Sequence, residues 1–202
     1  MRKAILIFSL VACFWLNAAA QKNQFSLVVG VKVTPGVGNA NSFNGKTNVD
    51  NALGFEANYA HEVLPLPFAS LQVELPLVFT TQSNVNSFNL LASKSYGALF
   101  ATPALKLQFA PHTHLSPWVS AGAGLARFSP STTALNGGGS AAGGTIKAAY
   151  QGGAGVDFRV PALHVTLRVE GREFFTGTPN LGVSGLNLRH NIMAGGGVVF
   201  NF

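Results

Sequence analysis

The stretch Ile192–Phe202, IMAGGGVVFNF, decides the fold class, because apolar side chains occupy every second position and its last residue is aromatic. This alternation is typical of a β-strand with one apolar face, since neighbouring side chains in a strand point to opposite sides of the sheet. Phe200 and Phe202 fall on the same face. We therefore predict a strand here with an apolar, aromatic surface.

The same alternation recurs upstream and predicts eight strands in all, each about as long as a transmembrane β-strand. Their expected spans are about 24–34, 52–62, 68–80, 96–109, 118–128, 146–160, 163–174 and 192–202. Short proline-containing connections at 64–67, 111–114 and 160–162 alternate with long Asn-, Ser- and Gly-rich ones at 35–51, 81–95, 129–145 and 175–188. A β-sandwich could share the strand pattern, but it gives no reason for sorting connections by length.

Composition points to a surface in contact with lipid. Only 10% of residues are charged and 48% are hydrophobic, whereas about a quarter of residues are charged in soluble domains. After Ala20, no uninterrupted apolar segment reaches the roughly 20 residues that a membrane helix needs. A chain that spans the bilayer without helices must close into a barrel, because lipid offers backbone groups no hydrogen-bond partners. We predict an all-β protein: an eight-stranded antiparallel transmembrane β-barrel with long extracellular loops and short periplasmic turns.

The first twenty residues have the organisation of an export signal. A basic head at 1–3 precedes an apolar segment at 4–15, and Ala18–Ala20 supplies the small residues of a cleavage site. We expect a signal peptide at 1–20, export through the Sec pathway with cleavage near Ala20, and a barrel domain at 21–202. The alternative is a lipidated Cys13 after Leu10–Ala12, which the bulky residues that follow it disfavour. Cys13 is the only cysteine, so a chain cleaved at Ala20 carries no disulfide.

Charged residues lie on the polar faces of the predicted strands, so we expect them inside the barrel. They are Lys32, Glu56, Glu74, Lys106, Lys147, Asp157, Arg159, Arg168, Glu170 and Arg172. Buried charges require partners, and an eight-stranded barrel is just wide enough for side chains to fill it. We predict a lumen plugged by a network of polar side chains, with a proton or ion path as the alternative. The absence of basic runs argues against a nucleic-acid partner.

Two local patterns suggest sharper chemistry. Residues 40–47, ANSFNGKT, fit a permissive phosphate-loop pattern, but no helix is expected after them to hold a phosphate. His114 and Ser116 resemble the His-x-Ser pair of outer-membrane lipid A deacylases. His112 and His114, with His61 at the same rim as a third candidate, could bind a metal, but two histidines on a turn make a weak site. The His-x-Ser pair falls in a predicted periplasmic turn with no acidic residue nearby in sequence. We therefore expect no catalytic, cofactor-binding or metal-binding residues.

The segment 167–179, LRVEGREFFTGTP, together with Arg189–Asn191, Phe202 and the strand at 117–124, resembles the small bacterial outer-membrane β-barrel domain proteins of the OmpA/OmpX-like group. The resemblance implies a place in the outer membrane of a Gram-negative cell envelope. It also implies that Phe200 and Phe202 form the assembly signal read by the barrel-assembly machinery.

From this resemblance we expect a structural or surface-interaction role. The partners would be outer-membrane lipid and lipopolysaccharide, with the loops as candidates for binding surface ligands. Glu173, and Arg127 level with it, are expected to face outward near the extracellular rim. The alternatives are a lipid-modifying enzyme on the same scaffold and a narrow gated pore or transporter.

Overall fold

The computed structural model describes residues 22–34, 48–86, 94–132, 144–161, 165–177 and 190–202. The predicted signal peptide and the candidate phosphate loop at 40–47 lie outside these ranges. The described residues form ten strands: β1 Asn23–Val33, β2 Asn48–Val49, β3 Ala52–Pro65, β4 Ala69–Asn86, β5 Lys94–Ala101, β6 Ala104–Phe109, β7 Leu115–Thr132, β8 Thr145–Val160, β9 Val165–Thr176 and β10 His190–Asn201. Within the same ranges, no helix has the length and apolar character needed to cross a membrane.

These segments make one closed antiparallel barrel of eight strands. β5 and β6 are two halves of one barrel strand, because both pair with β4 and β7. β2 continues β3, since both pair with β4 in the same register. The barrel closes where β1 pairs with β10, and Asn23 and Phe202 exchange two backbone hydrogen bonds of 3.0 Å. This pairing closes the barrel, as the predicted eight-stranded architecture requires.

The register fixes how the strands are inclined. A path of paired residues that leaves Asn23 crosses every barrel strand and returns to β1 at Val33, ten residues further along. A stagger of this size inclines the strands by about 40° to the barrel axis. Residues distant in sequence are thereby brought to the same level of a narrow interior.

The short connections lie at one end of the barrel, as the alternation of connection lengths predicts. The turn end carries the connections 66–68 and 110–114, and the loop end is the opposite one. Several strands run further toward the loop end than expected: β4 reaches Asn86 and β7 reaches Thr132. The predicted loop at 81–95 was therefore too long. These extensions are rich in Ser, Thr and Asn, which pair their backbones as other strand residues do but give no apolar contrast.

The predicted fourth strand, 96–109, is interrupted at residues 102–103. Pro103 has no backbone N–H to donate, and Thr102 N lies 3.4 Å from the carbonyl oxygen of Pro76 on β4. The break leaves the register intact on both sides.

Outside the barrel, apolar side chains form a nearly continuous surface that includes Val29, Leu125 and Val169.

Candidate functional site: the barrel lumen

Eight charged side chains are buried inside the barrel, each no more than 5% exposed. They are Lys32, Glu56, Glu74, Lys106, Asp157, Arg168, Glu170 and Arg172. Among the residues that the structure describes, four of these side chains are basic and four are acidic. The group draws on six strands, and three of its members occupy alternate positions of β9.

Two of the residues expected in the lumen do not join this group. Arg159 is exposed near the turn end of β8, where its Nη2 donates a 3.1 Å hydrogen bond to the carbonyl oxygen of Pro111. Lys147 is half-buried near the loop end of the same strand. Alternation gives the side of a strand correctly, but it does not say where the enclosed part of the barrel ends.

Arg172 is the centre of the first charged cluster. Its Nη1 lies 2.7 Å from Glu74 Oε1, and its Nε lies 3.0 Å from Glu56 Oε2 and 3.1 Å from Glu170 Oε1. One guanidinium thus joins carboxylates from β3, β4 and β9. Charge-assisted contacts of this kind are stronger than neutral hydrogen bonds and fix the geometry of the groups that make them.

The three carboxylates are not equally satisfied. Glu74 also accepts hydrogen bonds from Asn58 Nδ2 at 2.8 Å and Gln151 Nε2 at 3.3 Å. Neither oxygen of Glu56 has a hydrogen-bond partner of acceptable geometry, and Glu170 Oε2 has none either. A buried carboxylate oxygen without a donor costs free energy. The cation that contacts Glu56 is Arg172, whose Nε lies 3.0 Å from Oε2.

Asp157 is the centre of the second cluster and is fully satisfied. Arg168 donates two hydrogen bonds to it, from Nε to Oδ1 at 2.7 Å and from Nη2 to Oδ2 at 2.9 Å. Trp118 Nε1 and Gln108 Nε2 donate further hydrogen bonds of 3.2 Å. Lys106 Nζ stands 3.8 Å away. This bidentate pair ties β8 to β9 near the turn end.

Trp118 connects the two clusters. Three cations lie 5.0 Å from the centroid of its ring, within reach of cation–π attraction: those of Lys106, Arg168 and Arg172. The position of the indole ring depends on Gly155, because a Cβ added there would lie 2.6 Å from the ring. Sequence reasoning missed this residue. The available signal was its position on β7, on the face opposite Val119.

The loop-end half of the lumen also contains an apolar cluster, which the prediction of a lumen plugged by polar side chains did not include. Its buried side chains are Val28, Val78, Tyr96, Ala98, Phe100, Ala126, Phe128, Ala149, Phe174 and Met193. Phe100 stacks on Phe174 with ring centroids 4.4 Å apart and meets Phe128 edge-on at 6.0 Å. Lys32 borders this apolar cluster, with Nζ donating a 3.0 Å hydrogen bond to the hydroxyl of Tyr96.

A layer of amides closes the turn end. Gln24 and Gln72 both donate to Gln108 Oε1, at 3.1 and 2.8 Å, and Lys106 Nζ donates to Gln24 Oε1 at 3.1 Å. Beside this layer lies a polar cavity of about 10 Å³, enough for one water molecule. From turn end to loop end, the lumen therefore contains amides, then paired charges, then aromatic rings.

The histidine candidates lie apart from this interior, whereas Ser116 lines the polar cavity at its turn end. His112 and His114 are exposed in the connection 110–114, while Ser116 is buried and its hydroxyl donates a 2.8 Å hydrogen bond to the carbonyl oxygen of Ala110. The hydroxyl is thus engaged in shaping the turn. Among the described residues, no group of three or more His, Cys, Asp or Glu side chains is arranged to hold a metal ion.

Glu173 lies on the outer face, as expected, and its hydrogen-bond partner is His190. His190 Nδ1 lies 2.8 Å from Glu173 Oε1, and both side chains are substantially exposed. The imidazole ring also contacts Phe175 at 4.9 Å. Arg127 is exposed on β7.

The apolar exterior, the short turns and the filled interior define the fold class of small outer-membrane β-barrel proteins. Neisserial surface protein A matches with a TM-score of 0.53 at 12% identity, covering 92% of this chain and 100% of that one. OprG from Pseudomonas aeruginosa matches with a TM-score of 0.54 at 13% identity, covering 90% and 97%. These likenesses concern the fold alone, and they agree with the resemblance to the OmpA/OmpX-like group.

The outer membrane enzyme PagL aligns with a TM-score of 0.42 at 12% identity, covering 89% of this chain and 99% of that one, too distant to bear on activity. No family model matches the chain, and no curated protein matches it.

Proposed function

We propose that this protein is a non-enzymatic, integral outer-membrane protein with a structural or surface-interaction role. The observation that carries the proposal is the filled lumen. Eight buried charges form ion-pair, hydrogen-bond and ring contacts with one another and with their neighbours, and packed aromatic rings lie over them. A barrel organised in this way serves as a rigid membrane insert that holds loops at one end.

The proposed location is the cell outer membrane, reached through Sec export with removal of residues 1–20. The apolar exterior supports a membrane location. With the loop end outside the cell, lipopolysaccharide would surround the upper part of the barrel, and the loops would meet surface ligands. Phe200 and Phe202 would be recognised by the barrel-assembly machinery during insertion.

Planar-bilayer recording tests the filled lumen. Purified protein is reconstituted at a density checked by immunoblotting, with a general porin as the positive control. We expect no steady conductance. Reproducible single-channel steps that change when Arg168 or Lys106 is replaced would contradict the proposal and favour the gated pore.

A complementation experiment separates the structural role from the surface role. A strain lacking the protein is complemented with the full chain or with a variant in which 35–47 and 133–143 are shortened to Gly/Asn turns, and detergent sensitivity and surface binding are measured. If the shortened variant restores the barrier, the role is structural. If only the full loops restore the lost property, the role is surface interaction. If neither property changes on deletion, the proposal fails.

Lipid analysis tests the enzymatic alternative. We expect the acyl composition of lipid A to be the same in cells that overproduce the protein and in cells that lack it. The loss of an acyl chain on overproduction, reversed by Ser116→Ala, would replace the proposal with a lipid-modifying enzyme.

A further inference from the structure

An apolar groove runs up the outer face of the barrel over β7, β8 and β9. It has a volume of about 650 Å³ and contains hardly any polar surface. Ala154 and Gly171, which are directly paired across β8 and β9, form its floor, and Val119, Phe158 and Val169 form its walls. Because the larger Val119, Phe158 and Val169 flank them, these two small residues create a depression where lipid would meet the protein.

The floor continues toward the loop end. Gly152 is the next outward residue of β8 beyond Ala154, and an added Cβ there would meet nothing within 4 Å. Gly152 is paired with Glu173, which is in turn the next outward residue of β9 beyond Gly171. The outward face therefore leads from the apolar groove, past Gly152, to the acidic side chain of Glu173.

Glu173 gives the upper end of the groove its chemistry. Its side chain remains 36% exposed although His190 Nδ1 contacts Oε1 at 2.8 Å. His190 is itself held against Phe175. A carboxylate beside an apolar groove attracts a positively charged hydrogen-bond donor and repels an anionic phosphate.

We propose that this groove binds a membrane lipid with a primary amine in its head group. One acyl chain lies over Ala154 and Gly171, and the ammonium group donates hydrogen bonds to Glu173. The inference rests on the proposed membrane location but not on the filled lumen. A conducting barrel could still bind such a lipid, and a filled barrel could fail to.

Native mass spectrometry of the delipidated full barrel in mild detergent tests the site. The probes are phosphatidylethanolamine, phosphatidylcholine, which keeps the positive charge but has no N–H donor, and anionic phosphatidylglycerol. We expect the ethanolamine lipid to bind about tenfold more tightly than either of the others, as one charge-assisted hydrogen bond allows. Phosphoethanolamine-modified lipid A, compared with its unmodified form, shows whether the amine can also come from that source.

Two variants separate the head-group contact from the groove. Glu173→Gln should abolish the preference for ethanolamine while leaving general lipid binding. Gly171→Leu should reduce binding of all three lipids by filling the channel, and its first added carbon meets nothing closer than 4.0 Å. Ala57→Leu, on β3 away from the groove, is the matched control and should change neither. Heat modifiability on gels confirms that each variant is folded, and the smaller Gly171→Ala change serves if the leucine variant does not fold.

Equal binding of phosphatidylethanolamine and phosphatidylcholine would overturn the proposal, as would an ethanolamine preference that survives Glu173→Gln. A dimer in the native spectrum that disappears with Gly171→Leu would also overturn it, because it would show that a second copy of the chain covers this face.

Discussion

Arg172 is the residue whose loss should damage the barrel most. Replacing Arg172 with Met keeps an unbranched apolar stem but removes the cation from between Glu56, Glu74 and Glu170. Removing one partner of a buried ion pair costs about 3–5 kcal/mol, because the remaining charge is left uncompensated. Three carboxylates lose their common partner here. We therefore expect the free energy of unfolding to fall by at least about 5 kcal/mol, the upper end of that range.

Urea unfolding in lipid vesicles, followed by tryptophan fluorescence, measures this loss. Trp118 is the only tryptophan in residues 21–202, and its ring lies 5.0 Å from the Arg172 guanidinium, so the signal comes from the network itself. Arg127→Met, on the exposed outer rim, is the control and should change stability by no more than about 0.5 kcal/mol. A loss below about 1 kcal/mol for Arg172→Met would refute the view that this cluster holds the strands together.

Three further outcomes follow from the geometry. Glu56→Gln should cost less than about 1 kcal/mol in urea unfolding because Glu56 accepts no hydrogen bond, whereas Glu74→Gln should cost about 2–3 kcal/mol; equal losses would contradict this ranking. Phe174→Ala should lower the free energy of unfolding by about 3–5 kcal/mol by emptying the aromatic cluster, and Phe175→Ala on the outer face should cost clearly less. Phe202→Asp should impair insertion more than any loop change, and a folded, heat-modifiable Phe202→Asp band at normal abundance would refute the assembly-signal hypothesis.

The fold was predictable because most of the barrel strands place apolar side chains on one face and polar side chains on the other. β9 is the clearest example, with Arg168, Glu170 and Arg172 separated by outward residues. Lipid on one side and a confined interior on the other impose the alternation. The strand ends were less predictable, because beyond the bilayer both faces are polar and the contrast that marks a strand disappears.

The aromatic half of the lumen could not be predicted from alternation. In β5, Tyr96, Ala98 and Phe100 face inward while Leu99 faces outward, so both faces are apolar and neither can be assigned to lipid. The alternation also does not predict which charged residues contact one another. Arg172 reaches Glu74, 98 positions away, because of the stagger of the strands, a property of the whole barrel that no local pattern encodes.

The pairing of β1 with β10 also has a consequence for the order in which the molecule folds. Gln24 faces Asn201, so the two strands that complete the barrel lie 177 positions apart along the chain. Until both are present, every partly folded form exposes two unpaired strand edges, which bind other chains readily. The barrel therefore cannot close before β10 has been synthesised, and contacts between such distant segments make the final step slow.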